Sequence, residues 1–126
     1  MQTDVERDWR TEIERGPGWL FVKLRSPAAD VAHCGQIADN LFQMMQSHLT
    51  RRMVLDLEDV PVFKSELLSQ MLRLNNLVQS QGGILRLTGL SENNREVLRR
   101  SRLGERLAEY ESREAAVLSA HRQLPR

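Results

Sequence analysis

Residues 53–81, MVLDLEDVPVFKSELLSQMLRLNNLVQSQ, decide the fold. They open on Met53–Leu57 (MVLDL), a short apolar run of strand length, and pass through Glu58, Asp59, Val60 and Pro61, which read as an exit loop. From about Ser65 to Gln81 the period changes. Leu67, Met71, Leu74 and Val78 recur at helical spacing, Leu68 and Leu72 widen the stripe, and Gly82 and Gly83 stop it. Downstream, Ile84–Thr88 (ILRLT) reads as the next strand, Gly89 and Leu90 as a turn, and Ser91 as the N-cap of a third helix ending near Gly104. Leu107, Ala108 and Tyr110 read as a short edge strand. A last helix from about Ser112 to Arg122 has Ala116, Val117 and Ala120 to pack with.

Upstream, Val31, Cys34, Ala38, Leu41, Met45 and Leu49 lie on one helical face. Gly35 weakens the first turn of that helix, and Thr50, Arg51 and Arg52 close it with basic residues that suit the negative end of its dipole. Before it, residues 9–15 (WRTEIER) and 19–25 (WLFVKLR) carry strand character and flank Gly16-Pro17-Gly18, the pattern of an antiparallel hairpin. Single strands alternating with helices imply right-handed crossovers onto one sheet. The expected fold is therefore α/β: one small domain over 9–122, with a mixed β-sheet (N-terminal antiparallel hairpin plus parallel strands) flanked by helices, and a polar tail at 1–8.

Composition agrees with one soluble domain. The 126 residues include 18 Lys plus Arg against 17 Asp plus Glu, a formal charge of +1, with 40% hydrophobic and 28% charged residues. No run approaches the ~18 apolar residues of a membrane span, and the charged start does not read as a signal peptide. The single cysteine, Cys34, allows no internal disulfide and fits a reducing compartment, so a cytoplasmic location is expected.

The chemistry-bearing patterns are sparse. Phosphate-loop and dinucleotide glycine motifs are absent. Cys34 falls on the apolar face beside His33 and reads as a packed thiol, while His48 and His121 lack ligand-spaced partners, so no metal and no cofactor are expected. Arg95, Arg99, Arg102 and Arg106 would form a basic stripe able to dock an acidic partner or phosphates. Glu92 and Glu96, three residues before Arg95 and Arg99, favour a solvated ion-paired face instead. Asp56, Glu58 and Asp59 are uncommitted carboxylates that read best as a strand-end turn, and no enzyme is expected. Ser65, where strand hands over to helix, suits two compatible roles. Its hydroxyl can cap the helix, and a phosphoryl group there would add about −1.5 to −2 charge beside the positive helix end.

The run VLDLEDV (Val54–Val60), the following serine-bearing helix start, the segment GGILRLTGLSENNREVLRRSRL (Gly82–Leu103) and the ending YESREAAV (Tyr110–Val117) together resemble the STAS family, the domain of bacterial anti-sigma-factor antagonists. The resemblance spans about residues 10–120. It implies a helix-flanked sheet without catalysis of its own. It also implies partner switching, in which the unphosphorylated antagonist binds an anti-sigma serine kinase and phosphorylation of a Ser or Thr at this helix start abolishes binding. The family pattern there is Asp, Ser or Thr, Ser, Gly, Leu; here it reads Lys64, Ser65, Glu66, Leu67, Leu68, and only Ser65 and Leu68 match. Lys64 reverses a charge, Glu66 sets a permanent negative charge beside the phosphoacceptor, and Leu67 puts a bulky side chain where glycine lets a partner approach.

Two expectations follow from the resemblance. In the first, the chain is a non-enzymatic antagonist-like regulator of transcription, contacting an anti-sigma factor or serine kinase through Phe63, Lys64, Ser65, Glu66, Leu67 and Ser69, with the Ser26–Ala32 loop nearby and Ser65 as the phosphorylation candidate. In the second, it is a scaffold of a signalling assembly or an accessory subunit of a lipid-transport ATPase, with no phosphorylation switch. Neither involves nucleic acid or membrane insertion. A homodimer through the apolar hairpin residues Trp19 and Phe21 is compatible with both.

Overall fold

The computed structural model describes residues 2–6, 9–27, 34–101 and 106–118. The hairpin around Pro17 forms as β2 (Trp9–Gly16) and β3 (Trp19–Arg25), paired antiparallel from Arg10↔Arg25 to Gly16↔Trp19. The polar start departs from its expected role as a tail. Gln2–Glu6 forms a strand, β1, antiparallel to β2. A strand at a sheet edge is held by main-chain hydrogen bonds and needs no apolar side chains, and polar residues there oppose further pairing, so composition alone hid it.

After β3 come α1 (Ile37–Ser47), β4 (Arg52–Asp59), α2 (Ser65–Ser80), β5 (Ile84–Thr88), α3 (Glu92–Arg100), β6 (Ala108–Glu109) and α4 (Arg113–Leu118). The six strands lie in chain order, and β3 to β6 are parallel. The mixed α/β sheet expected from alternation is the observed one. Three helix ends differ, the first being the close of α1, which stops at Ser47 and leaves Leu49 beyond it, exposed and not on its apolar face. α1 begins only at Ile37, after Gly35, with Cys34 ahead of it; Val31 lies outside the described residues. α3 ends at Arg100 because Ser101 turns extended (ψ 127°), ahead of Gly104, which lies outside the described residues. For α4, residues 119–126 and with them Ala120 and His121 are likewise outside.

The strand pleat sorts side chains between two cores. On one face the register aligns Leu20, Met53 and Leu85 in one row and Val22, Leu55 and Leu87 in the next. All six are buried beneath Ile37, Leu41 and Met45 of α1 and Leu67, Met71, Leu74 and Val78 of α2. Each such side chain contributes about 1.5–3 kcal/mol over its exposed state, so these rows dominate the fold's stability. On the other face α4 covers a smaller cluster of Trp19, Val54, Ala108, Tyr110 and Ala116. Trp19 is thus part of the core beneath α4, not a free apolar edge. Arg86 lies buried in the middle of this cluster, 5.4 Å from the Trp19 ring centroid and 5.1 Å from that of Tyr110, and donates to the Ala116 carbonyl. A guanidinium between two ring faces keeps an electrostatic partner where water is excluded.

Candidate functional site

The carboxyl ends of β4 and β5 bring two loops together. β4 leaves the sheet at Asp59, and residues 60–64 lead to α2, whose N-cap is Lys64 with an extended backbone (φ −92°, ψ 161°). Ser65 is therefore the first helical residue and not the cap. Its side chain is exposed, and no hydroxyl hydrogen bond fills the capping role expected of it. Ser91, by contrast, caps α3 as its sequence implied, accepting from the Asn94 amide at 3.1 Å.

Asn94 fixes the approach to α2. It is buried (1% exposed), its amide group donates to the Val60 carbonyl at 2.8 Å, and its oxygen accepts from the Phe63 amide at 2.8 Å. One side chain thus satisfies a donor and an acceptor that β4 and α2 leave behind, and it fixes the loop from α3. The loop's outer side exposes Pro61 and Val62, the latter 61% exposed. The sequence offered no sign of this, because Asn93-Asn94 reads as ordinary polar helix surface. A buried amide announces itself only through its tertiary partners.

The six residues expected to face a partner separate into two groups. Phe63 (4% exposed) and Leu67 (2%) belong to the main core. Leu67 therefore poses no steric barrier at the surface, contrary to the expectation drawn from the glycine it replaces, since the helix turns that position inward. Lys64, Ser65, Glu66 and Ser69 are exposed, beside the half-buried Leu68. Glu66 does not simply project beside Ser65: its Oε1 accepts from the Cys34 amide at 2.9 Å and from the Cys34 thiol at 3.1 Å. One and two turns further along α2, Gln70 accepts from the Ala38 amide at 2.9 Å and Arg73 donates to Asp39 at 2.9 and 3.1 Å. Spacing of i, i+4 and i+7 places these three on one stripe against the start of α1, where Glu66 and Gln70 accept from backbone amides and Arg73 pairs with Asp39. Of the Ser26–Ala32 loop, Ser26 bonds the Asp59 carbonyl at 3.4 Å, and 28–32 lie outside the described residues.

The carboxylates at the end of β4 are engaged in structure. Asp56 accepts from the Glu58 amide at 2.9 Å, and Gly89 (φ 77°) comes so close that a Cβ would collide with the Asp56 carboxylate and stand 2.8 Å from the Glu58 nitrogen. Asp59 bonds Arg25 at 3.0 Å, and Lys23 stands 3.5 Å from Glu58 and 3.8 Å from Asp59. Partial burial pulls the Lys23 pKa down, but Asp59, Glu58 and Asp56 outweigh it and hold the ammonium above its ordinary 10.5. The arginine stripe resolves into ion pairs: Arg95 with Glu92 and Glu109 at 3.1 and 2.8 Å, and Arg99 with Glu96 at 3.3 Å. Arg102 lies outside the described residues, and Arg106 lies beyond α3. Cys34 is buried, His48 bonds the Met44 carbonyl at 2.9 Å, and the described residues include no cluster of metal-ligating side chains. No described helix is long and apolar enough to cross a membrane.

This order of strands and helices on one six-stranded sheet fits the class of fold expected from the sequence. The sequence model of the STAS domain matches residues 10–116, and the chain belongs to that family. Two solved structures share the fold. The protein TM1081, determined by NMR, superposes with a TM-score of 0.70 at 18% identity, with 83% of each chain covered. A serine-to-glutamate variant of RsbS from Moorella thermoacetica gives a TM-score of 0.64 at 14% identity over 83% of this chain and 91% of that one. Among curated proteins no sequence matches.

Proposed function

We propose that the chain is a non-enzymatic switch protein of the anti-sigma-factor-antagonist kind, binding a serine-kinase-type anti-sigma partner through the exposed start of α2 and releasing it when Ser65 is phosphorylated. The observation that carries this reading is Ser65 itself: exposed, at the first helical position, with Lys64 before it and Pro61 and Val62 presented on a loop that Asn94 holds. A phosphoryl group there meets free helix amides and the positive dipole end, so it is tolerated by the fold while placing about −1.5 to −2 charge in the contact surface. The reversed charge at Lys64 selects a partner whose surface differs from that of the family pattern.

The test is incubation with the anti-sigma-type serine kinases of the source organism, followed by mass spectrometry and binding measurements. Modification at Ser65, binding retained by Ser65→Ala and binding weakened about tenfold or more by Ser65→Asp support the switch. No modification, with both variants binding alike, contradicts it.

One observation favours a second reading, a STAS scaffold or transport-ATPase accessory subunit without a switch. The Glu66 carboxylate is committed to Cys34, which presets the surface around Ser65. Stable co-purification with an ATPase or a large assembly, unchanged by Ser65→Asp, selects that reading.

A further inference from the structure

The end of the domain opposite Ser65 carries a leucine that folding does not account for. Leu49 is 92% exposed at φ 56°, the left-handed conformation that glycine or asparagine usually supplies after a helix. Its neighbours fix it there. Its own amide donates to the Gln46 carbonyl at 3.0 Å, the Thr50 hydroxyl to the Gly18 carbonyl at 3.4 Å, and the Ile84 amide to the Arg51 carbonyl at 2.9 Å. Leu49 rims a cleft of about 350 Å³ lined by the half-buried Phe42 and the buried Met45 together with Gln46, Arg51 and Gln81.

The charge around it has one sign. Arg51, two residues on, lines the cleft and is exposed, and Arg15, paired with Leu20 on the α1 side of the sheet, stands exposed at the same end. No carboxylate among the described residues pairs with either; Arg52 faces the α4 side of the sheet, 5.8 Å over the Trp19 ring. The bland account is that they offset the C-terminal ends of α1 and α2, which meet at this end with His48 and Gln81 as caps. Two helix ends amount to about −1 in total, against two full positive charges, so an excess of about +1 remains.

We infer that this end docks an acidic segment of a partner protein carrying one large apolar residue, which seats in the cleft against Leu49 while its carboxylates meet Arg51 and Arg15. Charge complementarity selects an acidic occupant, and the cleft selects a peptide over other anions. A single leucine is too small an anchor for a membrane surface, which takes two signals. A nucleic-acid strand would need exposed rings to stack on, whereas Trp19 is buried and Phe42 half-buried. The surface goes beyond the reading proposed for α2: it lies at the other end of the parallel strands, so one partner can be held here while another occupies Ser65.

The experiment is titration of the isotopically labelled full chain, followed by amide NMR, with a glutamate–tyrosine copolymer, compared with polyglutamate, oligothymidylate and phosphatidylglycerol vesicles. The copolymer is expected to shift the amides of Gln46, Leu49, Arg51 and Gln81 and to bind more tightly than polyglutamate. Leu49→Asn, which suits the positive φ, is expected to weaken binding about tenfold while raising Tm. Arg15→Glu combined with Arg51→Glu is expected to abolish binding. The inference is overturned if shifts are absent or confined to other basic residues, if Leu49→Asn binds unchanged or lowers Tm, or if vesicles or oligothymidylate bind more tightly than the copolymer. None of these outcomes depends on Ser65.

Discussion

Asn94 and Lys23 show how single side chains set the working end of this fold. Asn94→Ala strands the Val60 carbonyl and the Phe63 amide in a dry site. Each orphaned group costs about 1–3 kcal/mol, so a loss of about 2–6 kcal/mol in urea denaturation is expected, with faster exchange of the Phe63 amide than of the β4 amides. Lys23 gives a pH signature. Its folded pKa is raised above the unfolded value of 10.5, so its contribution is full below that pH and is lost as the pH climbs through the higher folded value. Unfolding midpoints followed into the alkaline range are expected to fall further for the native chain than for Lys23→Met. Ser91 was legible at this scale, since a cap is local chemistry, whereas Ser65 was placed one position early and Asn94 was missed. Whether a serine caps a helix depends on where the preceding loop is pinned, and Asn94 does the pinning from 31 residues away in the chain.

α2 carries two faces of different purpose. Its apolar stripe was plain from Leu67, Met71, Leu74 and Val78, and the structure buries all four. Leu74→Ala is expected to cost about 2–5 kcal/mol by chemical denaturation, as deletion within a close-packed core does. The polar stripe of Glu66, Gln70 and Arg73 had the same helical period but no legible target, because its partners at the start of α1 come into reach only when the helices pack. Gln70→Ala removes the acceptor of the Ala38 amide. Exchange of that amide is expected to quicken by about tenfold with little change in the midpoint of unfolding, since the helix end opens locally before the core does. β1 was unreadable for a related reason. Main-chain pairing to β2 leaves no periodic apolar trace, whereas β4 and β5, covered on both faces, stand out as continuous apolar runs.

At the scale of the whole molecule, a formal charge of +1 conceals an uneven distribution. Around the carboxyl ends of the strands acids and bases neutralise one another: Lys23 and Arg25 with Glu58, Asp59 and Glu12, and Arg95 with Glu92 and Glu109. Ser65 and Val62 are left as the features a partner can read there, while Arg15, Arg51 and Arg52 mark the opposite end. Contact is proposed at two ends, and the central claim concerns the first: that the start of α2 is the partner surface and Ser65 controls it. The most direct measurement is hydrogen–deuterium exchange of the full chain with and without the proposed serine-kinase-type partner, repeated with Ser65→Asp. Protection concentrated in residues 61–69 and lost in the variant is the expected result. Protection elsewhere on the domain, or protection of 61–69 that Ser65→Asp leaves intact, would contradict the account.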